Sequence, residues 1–293
     1  MFDTLGVDSR YTKLLAGATN MALADETKSQ YKTAVNHIAR VAKALNTDMS
    51  LPFDIKKTLN YVGFLITERN CSSKTISQYL SALRMYHLCQ GEDPSCLRPT
   101  IVTLILKGRE HWKNVQDTLE QKPVRVAVTL SVLKFLKRSI KESKYPNEKK
   151  LRLWAICCIM WNGSLRVHEI LSKNKDSFDP LITLCSEDLN LITIKAGDEV
   201  KTVMRLHIKS PKERRIGTGV KLEIFENGTF CCPVKAYKKW LNRIQLREEQ
   251  PLFMDGDECF TGQCFNRILT KLTASITDSV IRSHSFRDSS YIT

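Results

Sequence analysis

The 293 residues are 42% hydrophobic and 26% charged, a balance that excludes wholesale disorder and fits one large domain or two ordinary ones. Lys and Arg outnumber Asp and Glu by 45 to 31, a formal net charge of +14, and such an excess favours a polyanionic partner because neutralising phosphates releases condensed counterions. The first residues lack the basic stretch and apolar core of a signal peptide, and the apolar runs 101–106 and 154–160 are too short to span a bilayer. Charge alone leaves DNA, RNA and an anionic membrane surface open as partners.

Residues 27–45 place Tyr31, Ala34, Val35, Ile38, Val41, Ala42 and Leu45 at i, i+3, i+4 spacing and predict an amphipathic helix, with Asp25 or Thr27 as its cap. A second helix is predicted after Pro52, with Ile55, Leu59, Val62 and Ile66 on its apolar face. A third covers 75–89, where Ile76, Tyr79, Leu80, Leu83 and Tyr86 recur, and a fourth covers 100–113. The polar stretch 114–125 contains Pro123, breaks the periodicity and predicts a linker. Beyond it, 130–141 and 151–163 read as helices. The pattern then changes: 189–195, 203–209 and 220–225 are β-rich or alternating and predict a small antiparallel sheet, with loops at Gly197 and Ser210-Pro211. Helices return at 233–243 and 262–272, and the segment 279–293 is expected to end inside another helix. The expected fold class is mainly α with a small antiparallel β-sheet, organised as a helical domain 1–113, a linker 114–125 and an α+β domain 126–293.

The ten cysteines are scattered, with adjacent pairs at Cys157-Cys158 and Cys231-Cys232 and a five-residue step from Cys259 to Cys264. No CxxC pair or finger-spaced histidine marks a zinc site, so reduced, buried thiols in an intracellular protein are expected. The glycosylation sequons at Asn162 and Asn227 read as chance matches.

Three short pieces carry candidate chemistry. The first is Gly163-Ser164-Leu165-Arg166-Val167-His168-Glu169-Ile170-Leu171, after an apolar helix; an Arg with a Glu three residues on is ordinarily a helix-surface ion pair. The second is His207-Ile208-Lys209-Ser210-Pro211-Lys212-Glu213-Arg214-Arg215, at the tip of a predicted hairpin, where basic residues are ordinarily solvated. The third is His284-Ser285-Phe286-Arg287, whose His and Arg share one face of a predicted helix and recur by chance in many chains.

Taken together and in this order, the three pieces resemble the tyrosine recombinases, the phage integrase-like family. The likeness covers residues 27–289 and is nearest to the enzymes of eukaryotic Crypton-type and related mobile elements. Residues 72–84 are similar to the third helix of that family's core-binding domain. Cys232-Pro233-Val234-Lys235-Ala236, Pro251-Leu252-Phe253 and Cys264-Phe265-Asn266-Arg267 are similar to its later segments. The resemblance implies a SAM-like helical core-binding domain followed by the family's catalytic domain. It also implies site-specific DNA recombination and integration by strand exchange through a 3′-phosphotyrosyl intermediate.

Transesterification of DNA builds negative charge on a pentacoordinate phosphorane and on the leaving 5′ oxygen. Two guanidiniums clamp nonbridging oxygens bidentately, which a single ammonium cannot, and preorganised positive groups of this kind supply much of the catalysis. By resemblance, Arg166 and Arg287 form that clamp, His284 bonds the phosphate or shuttles a proton, and Glu169 orients Arg166. A hairpin lysine protonates the leaving oxygen. Matching Lys209-Ser-Pro-Lys212-Glu-Arg to the family's pattern favours Lys209, while another register favours Lys212. The interval from Arg166 to Lys209 is longer than usual for the family and implies an insertion around 173–184. No metal and no cofactor is implied.

The departure lies at the end. The family's nucleophilic tyrosine follows the His-x-x-Arg by a few tens of residues, and only six residues follow Arg287. Tyr291 stands too close to Arg287 for in-line attack and is assigned to packing. The catalytic domain is therefore expected to be C-terminally incomplete, either as a fragment or as a domesticated descendant that binds duplex DNA without cutting it. Lys74, Lys107, Arg109, Lys113, Arg214 and Arg215 are the expected DNA contacts. Family members act as homotetramers on two duplexes through a swapped C-terminal helix. A nuclear location follows from the expected DNA substrate, and no membrane partner is expected.

Overall fold

The apolar spacing of the first third builds four helices. These are α1 (Asp25–Leu45), α2 (Ile55–Thr67), α3 (Ser73–Gln90) and α4 (Thr100–Leu119), with a 3-10 turn at Ser95–Leu97. They come from a computed structural model that describes residue 8 and residues 25–120, 124–125, 127–196, 199–209, 219–244, 250–275 and 279–286. The chain divides into two units, Met1–Lys122 and Pro123–Thr293. The architecture is mainly helical with one three-stranded antiparallel sheet, as the sequence predicts.

In the first unit Val41, Tyr61, Leu65, Ile76, Leu80, Leu83, Leu97 and Val102 form one buried cluster. Asp54 starts α2 by accepting the Lys57 amide at 2.7 Å, and Ser72 starts α3 by accepting the Thr75 amide. Gly91, at φ 80°, ends α3 in the left-handed conformation that a side chain resists. His87 is buried here, its Nε2 accepting the Phe53 amide at 2.9 Å, which leaves Nδ1 to donate to the Asp93 carbonyl at 3.3 Å. Helix α1 starts at Asp25, so Thr27 lies inside it and is not its cap.

Two differences from the sequence reading concern α4. The helix runs on through Leu119, so 114–119 is helical and not linker. Its polar residues are compatible with a helix: Thr118 Oγ1 returns a bond to the Asn114 carbonyl, and no proline intervenes before Pro123. At the other end of that stretch, Val124–Arg125 (β1) pairs in parallel with Ser279–Val280 (β7) and belongs to the second unit.

In the second unit, α5 (Leu130–Glu142) packs beside α6 (Asn147–Gly163), which is buried almost all round. The sheet orders β2 (Leu189–Ala196), β3 (Glu199–Ile208) and β4 (Val220–Phe225), with Leu206 opposite both Leu189 and Leu222. The other described elements are the short helix α7 (Val167–Ile170), the 3-10 turn Ser186–Asp188 before β2, α8 (Pro233–Leu241), the hairpin β5 (Met254–Asp255) and β6 (Glu258–Cys259), and α9 (Gly262–Leu272). Trp240 anchors the core, 4.8 Å from Phe253 and 5.7 Å from Tyr237 between ring centroids, and burial pushes the Tyr237 hydroxyl up to about 12. The terminal segment differs from the predicted helix: 279–280 is the strand β7, and Ser283–Phe286 is a 3-10 turn. All ten cysteines are free thiols. Both sequon asparagines are internal bonders, Asn162 Nδ2 reaching the Cys158 and Cys231 carbonyls and Asn227 Nδ2 reaching Asn162.

Sequence periodicity starts α6 at 151, but the helix begins at Asn147, directly after Pro146. The added turn seats Lys149, and Arg152 follows it in the first turn of the predicted stretch. Arg152 is 2% exposed, donates to the Met254 carbonyl and to Asp255 Oδ1 (2.6 Å), and lies 4.7 Å from the Phe260 ring centre. Burial works against the Asp255 charge, but the Arg152 and Lys149 hydrogen bonds and charges outweigh it and hold the carboxyl below its usual value. A depressed folded value means the pair stabilises above the unfolded 3.8 and fades as pH falls through the folded value. Arg152→Ala is expected to cost about 2–3 kcal/mol in denaturant unfolding at neutral pH, since the part-buried Met254 carbonyl loses its donor and the Asp255 carboxylate is left with Lys149 alone. The gap to the parent chain should narrow below about pH 4.

Candidate functional site

Arg166 sits where α6 gives way to α7. Gly163 ends α6, and Ser164 turns the chain at φ 49°. A Cβ on Gly163 would lie 2.9 Å from Leu165 Cδ1 and 3.1 Å from Leu222 Cδ2, so the turn is pressed against β4. Arg166 is the N-cap of α7, and Glu169 closes back on it. Its Oε2 accepts the Arg166 amide at 2.7 Å and its Oε1 accepts Nη1 at 2.9 Å. The two side chains are only 18% and 10% exposed. The pair is therefore a bracket that fixes the guanidinium against its own backbone and not a solvated surface pair.

Helix α9 joins this turn to the His284 turn. At its start Gly262 donates to the Ser172 carbonyl, and a Cβ there would lie 2.9 Å from Val167 and 3.2 Å from His168. One turn later, about 6 Å along the axis, Asn266 Oδ1 accepts the Ser283 amide at 2.8 Å. The Ser285 carbonyl accepts the Val128 amide, and the buried Phe286 ring faces Phe265 at 6.2 Å. Ser283, Ser285 and Phe286 are buried while His284 is exposed, so the turn is anchored on three sides and presents the imidazole. The helix face expected to align His284 with Arg287 is a 3-10 turn up to Phe286, and Arg287 and Tyr291 lie outside the described residues.

Lys209 follows β3 directly, three residues beyond Leu206, whose partner Leu222 packs at the Arg166 turn. Its ammonium is enclosed by oxygens: Asp188 Oδ2 at 2.7 Å, the Pro180 carbonyl at 2.8 Å and Glu187 Oε1 at 3.8 Å. Partial burial opposes the Lys209 charge, but the hydrogen bond and charge of Asp188 outweigh it and hold the lysine above its ordinary value. Cys185, Glu187 and Asp188 are close enough together to suggest a cation site, and the Lys209 ammonium is the cation they face. Lys212, Arg214 and Arg215 lie outside the described residues.

In the first unit, Ser73 Oγ donates to the Leu106 carbonyl at 2.8 Å, which sets the start of α3 against the middle of α4. Lys74, Lys107 and Lys113 are exposed. Arg109 is partly buried, and its guanidinium donates to Asn70 Oδ1 in the loop before α3, so it ties the unit together.

Sequence reasoning missed Asp188, Glu187 and Pro180 around Lys209, and Arg152 within α6. Asp188 had no motif to mark it, since it becomes notable only when β3 folds back beside its turn. Arg152 did leave a signal, a charge inside the otherwise apolar run 151–160.

No family model matches this sequence, and no curated protein matches it. Among solved structures, the XerA recombinase crystal structure aligns over 96% of this chain and 81% of its own, at 12% identity and a TM-score of 0.33. A superposition this loose lends no weight to any assignment. No helix among the described residues is long and apolar enough to cross a membrane.

Removing the bracket should be measurable. Glu169→Ala is expected to lower stability by about 1–2 kcal/mol in denaturant unfolding, by removing the acceptor of the Arg166 amide and of one guanidinium N–H. Glu169→Gln, which keeps an acceptor for the amide, should recover about half of that loss.

Proposed function

We propose that this chain binds double-stranded DNA and takes part in site-specific strand exchange of the tyrosine recombinase kind, with an origin in a mobile element. The observation that carries the reading is the bridging by α9. Two motifs far apart in sequence, Arg166 with Glu169 and His284 with its buried neighbours, are seated one helical turn from each other on the same helix. Lys209 is tied to the same region through the β3–β4 pairing.

In this reading the scissile phosphate lies against the Arg166 turn. Arg166, preset by Glu169, bonds a nonbridging oxygen as negative charge develops, and Arg287 supplies the second guanidinium. A tyrosine hydroxyl, which the family's pattern puts a few tens of residues after the His-x-x-Arg, attacks the phosphorus and forms the 3′-phosphotyrosyl bond as the bond to the 5′ oxygen breaks. His284 bonds the phosphate or takes the tyrosine's proton, and Lys209 protonates the leaving 5′ oxygen. Positive side chains supply the charge stabilisation that this transesterification needs. The remaining basic residues, among them Lys74, Lys107, Lys113, Lys212, Arg214 and Arg215, contact the DNA backbone. A homotetramer on two duplexes and a nuclear location belong to the same reading. In the alternative, a domesticated descendant holds the duplex without cutting it.

Titration of a labelled duplex from about 50 to 200 mM salt tests the DNA reading. Affinity should fall by a factor of about a thousand or more, as for a protein that makes several phosphate contacts. Lys74→Ala and Lys107→Ala should each reduce the slope of log affinity against log salt by about 1. Absence of duplex binding at the lowest salt would remove the reading. A nicked suicide duplex, offered to the chain together with whatever residues its reading frame encodes after Thr293, separates its two forms: a covalent adduct through a tyrosine supports strand exchange, and binding without an adduct supports the descendant that only holds DNA.

A further inference from the structure

We propose that Asp188 is a displaceable counter-ion for Lys209, which a DNA phosphate replaces when the duplex binds. The inference rests on the DNA reading above and adds to it a resting state of the lysine and the residue that maintains it.

The geometry is specific. An ammonium has three N–H donors, and the Asp188 carboxylate and the Pro180 carbonyl accept two of them at 2.7 and 2.8 Å. Glu187, on the same 3-10 turn as Asp188, stands at 3.8 Å and is exposed. Pro180 lies in the stretch 173–184, the extra length between the Arg166 and Lys209 motifs, so that added segment itself helps to hold the lysine. The Lys209 side chain is only 16% exposed in this arrangement.

Asp188 is anchored independently of the lysine. Its Oδ2 also accepts the Cys185 amide at 2.7 Å, and its Oδ1 faces His207 Nδ1 at 3.7 Å. It is 5% exposed, so the carboxylate is part of the framework and the lysine, on a flexible four-carbon stem, is the mobile partner. When the lysine leaves, the carboxylate keeps its backbone donor. Exchange of a carboxylate for a phosphodiester monoanion conserves the charge balance at the ammonium. The barrier is therefore set by the two oxygens given up, and the Asp188 charge competes with DNA for the lysine.

A double-mutant cycle on duplex affinity, using the whole chain, tests this. Asp188→Asn should bind duplex about 3- to 10-fold more tightly and increase the salt slope by about 1, because the lysine is released to a phosphate. Lys209→Ala should weaken binding to a similar extent. In the double variant the gain from Asp188→Asn should vanish. If neither single variant changes affinity, the pair is a permanent structural pin and the proposal fails. Should Asp188→Asn not fold, Glu187→Gln at the exposed edge is expected to give a gain of about 2-fold, and no gain would count against the proposal. Nitrogen-15 spectra of the lysine ammoniums in the parent chain provide the variant-free arm. The Lys209 signal should move on adding duplex, and a signal that stays fixed while other lysines move overturns the proposal but leaves DNA binding intact.

Discussion

At Gly262 the first turn of α9 comes so close to Val167 and His168 that a Cβ would sit 2.9 Å from one and 3.2 Å from the other. That approach seats the short helix α7, and α7 is too short to hold its own position: four residues close barely one turn, and its stability must come from packing and from the Glu169 bracket at its N-cap. The same α9 receives the Ser283 amide on Asn266 one turn further on. The positions of Arg166 and His284 thus follow from one helix, and the buried α6 behind them supplies the rigid floor.

The basic charge of the chain is not spread evenly between solvent and interior. Arg152 and Lys209 are largely withdrawn from water, and each meets a carboxylate and a backbone carbonyl carried by a different element. The Arg152 arrangement is costly to break because its partners stay partly desolvated, whereas Asp188 keeps the Cys185 amide when Lys209 leaves. The two also differ in what surrounds them. Arg152 is also covered by the Phe260 ring and ties a hairpin to the core. Lys209 stands at the exit of a strand, next to the stretch 210–218 that carries Lys212, Arg214 and Arg215 in sequence. The first arrangement reads as architecture and the second, in the proposed DNA-binding function, as charge held in reserve for a phosphate.

Much of this was readable before folding. The apolar periodicity placed α1, α2, α3, α5 and α9, and the alternation of 220–225 placed β4 without error, because one face of each element is buried. The errors have a common cause. The polar residues after 113 hide the last turns of α4, and Pro146 starts α6 four residues before its apolar pattern begins, because helix boundaries depend on caps and prolines more than on hydrophobic pattern. The 3-10 turn at His284 could not be read, since it is held by Asn266, Val128 and Phe265 from three distant places. The oxygens around Lys209 were equally invisible, because a carboxylate and a carbonyl from separate segments meet it only in three dimensions.

The central claim is that the Arg166 turn, the His284 turn and the end of β3 form one surface for a DNA phosphate. Hydrogen–deuterium exchange on the whole chain, with and without a saturating duplex, addresses it most directly. The account predicts that amides at 164–171, 206–209 and 281–286 gain protection together and with the same dependence on DNA concentration. Protection confined to the lysines of α3 and α4, with those three segments exchanging as before, would contradict it.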